Sequence, residues 1–266
     1  MKLVRYGPAG REKPGIIDSE MLASGGLARI RKANVKRLKA VPGKPRLGAC
    51  VGNVGNFIAI GLNYADHAAE SGVPVPEEPV VFHKTTSCIV GPNDNTMVPK
   101  ASTKLDYECE LGVIIGRRAR YLAKEKAMDV VAGYCIANDV SERAFQMEHG
   151  QTICKGKGAE TFGPLGPWFV TKDEVRDPQN LTMWTKVNGA TRQNGSTKTM
   201  VFDVAHLVWY LSQIFVLEPG DVIATGTPPG VAYGMKPPVY LKAGDVVELG
   251  IEKLGTQRQK IVPFKA

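Results

Sequence analysis

Asp106-Tyr107-Glu108-Cys109-Glu110-Leu111-Gly112-Val113-Ile114-Ile115-Gly116 is the stretch whose reading decides the fold. It alternates and then runs into Val and Ile, the pattern of a strand entering a core. Side chains on a strand repeat every two residues, so Asp106, Glu108 and Glu110 share one face and Tyr107, Cys109 and Leu111 the other. Three carboxylates side by side repel unless water or a cation neutralises them. One reading is a wet outer face. The other is half of a hard-metal site, with oxygen ligands suited to Mg²⁺, Mn²⁺ or Ca²⁺ rather than Zn²⁺. The apolar run directly after the acids favours the second.

Working outward, Tyr134 to Ser141 predicts a second apolar strand that ends in an acid, and Asp139 is the natural third metal oxygen. Arg143 and Gln146 follow one turn later. Lys155 and Lys157 stand between glycines, which predicts a loop whose backbone can approach a ligand closely. The residues alone do not choose between the two lysines. The fragment lacks the first glycine and the hydroxyl residue of a P-loop.

Upstream, Phe57 to Leu62 predicts a short buried strand running into Asn63-Tyr64-Ala65-Asp66-His67-Ala68-Ala69-Glu70-Ser71-Gly72. Asn63 or Asp66 can start a helix there and Gly72 can stop it. His67 and Glu70 then lie at i, i+3 on one face. A carboxylate beside an imidazole orients it and raises its basicity, an arrangement that activates water. A surface His–Glu pair is the plainer alternative. Glu77 to Lys84 leads into a further strand, whose Lys84 can reach an anion.

Downstream, Gly163-Pro164-Leu165-Gly166-Pro167-Trp168 reads as a rigid turn-rich segment. Met183 to Arg192 alternates about Asn188-Gly189, a strong hairpin signal. Val204 to Phe215 is the best amphipathic helix, with Ala205, Val208, Trp209, Ser212 and Ile214 mostly on one side. Thr225-Gly226-Thr227-Pro228 offers hydroxyls and amides that can hold a carboxylate. Val239 to Leu241 and Val246 to Ile251 close the chain as strands.

Bulk properties bound the rest. The 266 residues suffice for one large domain, or a large one with a small one. A hydrophobic fraction of 43% and a charged fraction of 23% are ordinary for a globular protein. Many glycines and prolines suit a turn-rich β protein. The five cysteines show no CxxC spacing and read as free thiols in a reducing, cytoplasmic setting. No apolar run spans a membrane. The net charge of +8 is concentrated between Arg29 and Arg46, where basic residues stand without an acid. No aromatic interrupts that run, so a solvated segment is preferred to a nucleic-acid surface. The alternative from another class is a basic binding module through residues 29–46. A break at Val41-Pro42-Gly43-Lys44-Pro45 suggests a small N-terminal domain over 1–50 and a larger one over 51–266.

Taken together, the motifs resemble the fumarylacetoacetate hydrolase family. The matching segments are Gly61 to Glu70, Asp106 to Gly112, Asn138 to Arg143, Phe162 to Trp168 and Pro219 to Pro228, in the family's order. The first fifty residues resemble the small N-terminal domain of the bacterial subgroup, which includes proteins similar to 2,4-diketo-3-deoxy-sugar-acid hydrolases. The resemblance implies a protein mainly β with some α, a mixed β-sandwich roll plus a small N-terminal domain, assembled as a homodimer with one divalent cation per subunit, Mg²⁺ for preference. It implies Glu108, Glu110 and Asp139 as metal ligands. It also implies His67 and Glu70 as a water-activating pair on a lid helix, and Lys157 as the active-site lysine. Lys84, Arg143, Gln146 and Thr227 become candidate substrate contacts.

The implied reaction is hydrolysis of a C–C bond in a 2,4-diketo acid, such as a sugar acid, to pyruvate and a second acid. Ureidoglycolate lyase, 2-hydroxyhepta-2,4-diene-1,7-dioate isomerase and oxaloacetate decarboxylase are alternatives on the same scaffold. Met147 to Cys154 and Gly158-Ala159-Glu160-Thr161 depart from the family pattern beside Lys157, which bears on substrate choice.

Overall fold

A computed structural model describes residues 2–16, 41–150 and 152–266. The chain opens with strands β1 (Lys2–Tyr6), β2 (Lys13–Ile16) and β3 (Phe57–Gly61), followed by helix α1 (Ala65–Ser71). Strands β4 (Val80–Lys84), β5 (Ile89–Val90), β6 (Thr96–Met97), β7 (Leu105–Asp106), β8 (Cys109–Ile115), β9 (Val131–Asn138) and β10 (Ser141–Glu142) come next. Two short helices, α2 (Arg143–Met147) and α3 (Ile153–Lys157), lead to β11 (Gly163–Thr171). The hairpin β12 (Thr182–Val187) and β13 (Ala190–Ser196) precedes α4 (Val204–Ile214). Strands β14 (Val222–Ala224), β15 (Val246–Ile251) and β16 (Gly255–Val262) complete the fold.

The larger sheet has the order β2-β1-β11-β9-β8-β14-β3-β4, with β5 added alongside β11. A five-stranded sheet, β13-β12-β15-β16-β6, lies against β8, β9 and β11. This is the mixed β-sandwich with a few helices that the motifs imply. β8 is central because every one of its residues is buried, so it can only sit between neighbours on both edges and under a second layer. Gly112 permits that crowding: a Cβ there would meet the Cys135 sulfur on β9 at 2.8 Å.

The N-terminal hairpin is hydrogen-bonded onto the larger sheet through β1 and β11. Residues 41–50 carry no helix or strand beyond a bridge from Leu47 to Tyr6. Most of the basic run between Arg29 and Arg46 lies outside the described residues. Arg46, at the end of that run, is not simply solvated. Its Nε donates to Asp94 Oδ1 at 2.7 Å and its Nη1 to Glu12 Oε1 at 3.0 Å.

Several local expectations need correction. The acidic stretch is two strands rather than one, because Tyr107 and Glu108 leave the ladder between β7 and β8. The turn-rich segment at Gly163 is the long strand β11, which shifts register against β9 between Gly166 and Val170. Lys155 and Lys157 are on helix α3, not a loop. Val239 to Leu241 forms no strand, only a bridge from Leu241 to Leu105, and β15 pairs with β16 instead. In α4 Val208 and Ser212 are buried as expected and Ala205 and Trp209 pack on the core, but Val204, Leu207 and Leu211 complete the buried stripe. Ile214 is exposed. The Asn188-Gly189 turn has positive φ at both residues, 51° and 81°, as a tight hairpin demands.

Candidate active site

The register between β8 and β9 assembles the acids. Cys109 faces Asn138 and Glu110 faces Ala137. One residue beyond that ladder the Asp139 amide donates to the Glu108 carbonyl at 2.9 Å. Glu108 and Asp139 are therefore opposite one another, and Glu110 follows two residues along the same face. The small side chain of Ala137 leaves room beside Glu110. The three carboxylates are buried, with ligand atoms all within 4.8 Å of one another. Burial excludes the wet-face reading of the strand.

Three cations press into the same cluster. Lys157 Nζ lies 2.7 Å from Glu108 Oε2 and 2.8 Å from Asp139 Oδ2. Arg143 Nη2 lies 2.5 Å from Glu108 Oε1, and its Nε donates to Asp106 Oδ2 at 2.9 Å. Lys84 Nζ donates to Asp139 Oδ1 at 2.5 Å, to the Lys157 carbonyl at 2.5 Å and to the Val140 carbonyl at 3.3 Å. An ammonium has three protons, so Lys84 is fully committed. It sits behind the cavity wall rather than on it. Its place as a substrate contact is taken by a structural one: it fixes Asp139 and the end of α3.

The carboxylates respond unequally. Burial alone would raise the Glu108 carboxyl, but Lys157 and Arg143 overcome it and hold it well below the usual range. Glu110 has the opposite fate. Burial, then the charges of Asp139 and Glu108, push it well above the ordinary carboxylate value. Its hydrogen-bond donor is the Gly226 amide at 2.9 Å, and among the described residues no cation pairs with it. Three cationic side chains thus pair with Asp106, Glu108 and Asp139, and Glu110 is the fourth carboxylate. An all-oxygen set with one carboxylate left uncompensated fits a hard divalent cation.

Helix α1 supplies the other half. Tyr64 is its N-cap and Gly72, in the left-handed conformation, its C-cap. Asn63 does not cap. Its amide bridges the Thr225 and Phe202 carbonyls and ties α1 to the turn after β14. His67 Nδ1 lies 3.1 Å from Glu70 Oε2. Glu70 is itself anchored by the Gly230 amide, at 2.9 and 3.2 Å to its two oxygens. A carboxylate held on Nδ1–H leaves Nε2 as the free basic nitrogen.

His67, Glu108, Glu110, Arg143, Gln146, Lys157 and Thr227 line one cavity of about 490 Å³, a size typical of small-ligand sites. Gln146 offers its carbonyl oxygen to Arg143 Nη1 at 3.1 Å. The Thr227 hydroxyl donates to the Cys109 carbonyl at 2.9 Å and accepts from Gln193 Nε2 at 2.8 Å. Its proton would have to leave Cys109 to serve a substrate carboxylate.

Two contributors were not legible as such. Asp106 shares the acidic face but stays outside the triad. It accepts from the Ala232 and Tyr233 amides, at 2.8 and 3.0 Å, as well as from Arg143. Tyr233 lies against the Arg143 guanidinium, 5.6 Å from ring centre to Cζ. Nothing in local spacing links residue 106 to residue 232. Only the alternation, which set Asp106 beside Glu108, hinted at it.

A buried oxygen-donor triad that could hold a divalent cation, two of its members sharing a cavity with an oriented imidazole, has the make-up of an enzyme site. Comparison with known proteins narrows the class. Residues 56–262 match the family model described as fumarylacetoacetate (FAA) hydrolase C-terminal. The chain belongs to the fumarylacetoacetate hydrolase family. It is 57% identical, over 98% of both chains, to a protein of Burkholderia orbicola named provisionally as a hydrolase. It superposes with a TM-score of 0.86 on a fumarylacetoacetate hydrolase from the psychrophile Exiguobacterium antarcticum, at 37% identity over 99% of this chain and 100% of that one. It also resembles a 2-hydroxyhepta-2,4-diene-1,7-dioate isomerase from Mycobacterium marinum, with a TM-score of 0.78 and 32% identity over the full length of both. Among the described residues no helix is long and apolar enough to cross a membrane.

Proposed function

We propose that this protein hydrolyses a C–C bond in a 2,4-diketo acid, releasing pyruvate and a second carboxylic acid, with Mg²⁺ as its cation. One observation carries the reading: the Glu70-oriented His67 lines the same cavity as Glu108 and Glu110, the two carboxylates that Asp139 joins to form the triad. A divalent cation held by Glu108, Glu110 and Asp139 would polarise the keto group next to the substrate carboxylate.

The chain's own groups account for the remaining steps. Glu70 holds Nδ1–H, so Nε2 of His67 takes a proton from water. The hydroxide adds to the C4 carbonyl. The C3–C4 bond then breaks, its electron pair forming the enolate of pyruvate, and the C4 fragment leaves as the acid. Lys157, already among the carboxylates, places an ammonium where negative charge develops. The proton carried by His67 is returned to C3. Isomerisation needs the enolising half alone, whereas hydrolysis also needs a base for water. The anchored His67–Glu70 pair supports hydrolysis over the isomerase activity named for the Mycobacterium marinum protein.

Pyruvate release from a panel of 2,4-diketo acids, first with Mg²⁺ and then with EDTA, tests the reading. Metal-dependent pyruvate with an equal amount of the matching acid is expected. No pyruvate from any member, with metal bound, would refute it.

A further inference from the structure

The cavity wall sets a charged cluster beside a set of apolar side chains. Glu108, Glu110, Arg143 and Lys157 cluster together, and His67 lines the same cavity. Much of the rest of the wall is apolar: Val73, Val80, Met147, Ile153 and the rings of Phe82 and Tyr233, which lie near Lys157 and Arg143. Three of these are also among the chain's exposed large hydrophobic side chains, Val73 at 39%, Met147 at 48% and Tyr233 at 44%. They come from three separate segments, the end of α1, the end of α2 and the turn after residue 231, and converge on one mouth. Exposed apolar surface gathered at a concave site is where a ligand gains most from burial.

The polar inventory argues the same way. The cations on the wall, Arg143 and Lys157, are both engaged with carboxylates. A second carboxylate on the substrate tail would therefore find no unpaired cation on the wall among the described residues. A polyhydroxylated tail would find few partners, the Gln146 amide nitrogen, Ser71 and the Tyr233 phenol, for its several hydroxyls. Gln146 Oε1 is engaged by Arg143, and the Thr227 hydroxyl is held between Cys109 and Gln193. Ser71 and the Tyr233 phenol are the wall's remaining hydroxyls. Each unmatched hydroxyl buried against Val80, Phe82 or Ile153 would lose its water without a replacement bond.

We infer that the acyl half of the substrate is an uncharged apolar chain or ring, not a sugar-derived or dicarboxylic one. This rests on the hydrolase reading above. The favoured substrates are acylpyruvates whose tail lies along Val73, Val80, Phe82, Met147 and Ile153, with the 2-keto acid end at the carboxylate cluster.

Two measurements on the Mg²⁺-loaded protein test it. In the first, kcat/KM is measured for acylpyruvates with straight alkyl tails of one to five carbons, for a dihydroxylated tail and for a carboxylated tail. A rise of about fourfold per added methylene is expected, with the hydroxylated and carboxylated tails at least tenfold below the alkyl tail of equal length. A flat series, or a preference for either polar tail, would overturn the inference and leave the hydrolase reading standing. In the second, binding of uncleavable straight-chain 2-oxo acids is measured by calorimetry. Affinity that climbs with chain length supports the apolar subsite even if no diketo acid is cleaved, a result that would sink the hydrolase reading alone. Affinity independent of length would overturn the inference. Met147 is half exposed, so Met147→Gln leaves the fold intact. It should cut the gain from a five-carbon tail at least threefold, and an unchanged gain would remove Met147 from the subsite.

Discussion

Replacing Lys157 by Met should damage the metal-free protein far more than the metal-loaded one. Lys157 is 2% exposed, and its ammonium contacts Glu108 and Asp139 at 2.7 and 2.8 Å. Met keeps most of the stem and removes the charge. Without a divalent ion, the triad then has Arg143 on Glu108 and Lys84 on Asp139, and nothing in its middle. Removing one partner of a buried pair costs about 3–5 kcal/mol, because the other charge stays buried. With the ion bound, its two positive charges replace the missing one, and the loss falls to about 1 kcal/mol of contacts.

The thermodynamic cycle converts the difference of about 2–4 kcal/mol into metal affinity. Lys157→Met should bind Mg²⁺ roughly 30- to 1,000-fold more tightly than the wild type, although its turnover drops. Urea denaturation in EDTA and in saturating Mg²⁺ gives the two stability losses, and calorimetric titration gives the affinity directly. If both losses were equal and the affinity unchanged, Lys157 would not be a tethered counter-ion of the triad. The charge argument would then be wrong.

Other perturbations separate the parts of the site. Glu110→Gln removes the carboxylate that burial and its neighbours push upward. It should lower Mg²⁺ affinity at least 100-fold by calorimetry while leaving the urea midpoint in EDTA unchanged or raised; a clear loss of stability in EDTA would contradict the repulsion argument. His67→Ala should reduce pyruvate release by about 10²- to 10⁴-fold with Mg²⁺ affinity retained, and full turnover would rule out the water-activating role. At the N-terminal hairpin, burial would raise the Glu12 carboxyl, but Arg46 and Arg5 bring it below the ordinary 4.5. A depressed carboxylate stabilises above its unfolded value and loses that contribution as pH falls through the folded one. The stability gap between wild type and Glu12→Gln should therefore be present at pH 7 and close as the pH is taken below about 4; a gap that widened in acid would reverse the sign of the argument.

The sequence spoke most clearly where one physical rule sufficed. Period-two alternation placed Glu108 and Glu110 on one face, and helical spacing placed His67 beside Glu70; both contacts are local, and both are present at 3.1 Å or through a shared cavity. It was silent where function depends on register between distant strands. Nothing near residue 84 indicates that its three protons go to Asp139, Val140 and Lys157, because that follows from β4 returning beside β3 and α3 packing on β4. The two lysines of α3 show the same limit. Lys155 reaches the His149 carbonyl at the surface, whereas Lys157, two positions on, is buried among carboxylates. A loop would leave both choices open; a helical turn separates them by roughly 200° and lets one side chain enter the core. Helix α3 is five residues long and carries two glycines' worth of punctuation around its lysines, so propensity argues against it. Packing reverses that preference. A Cβ at Gly156 would meet the Glu142 carbonyl at 2.7 Å and Gln146 Cβ at 2.6 Å, so the glycine that weakens the helix is also what lets it press against α2 and carry Lys157 to the acids.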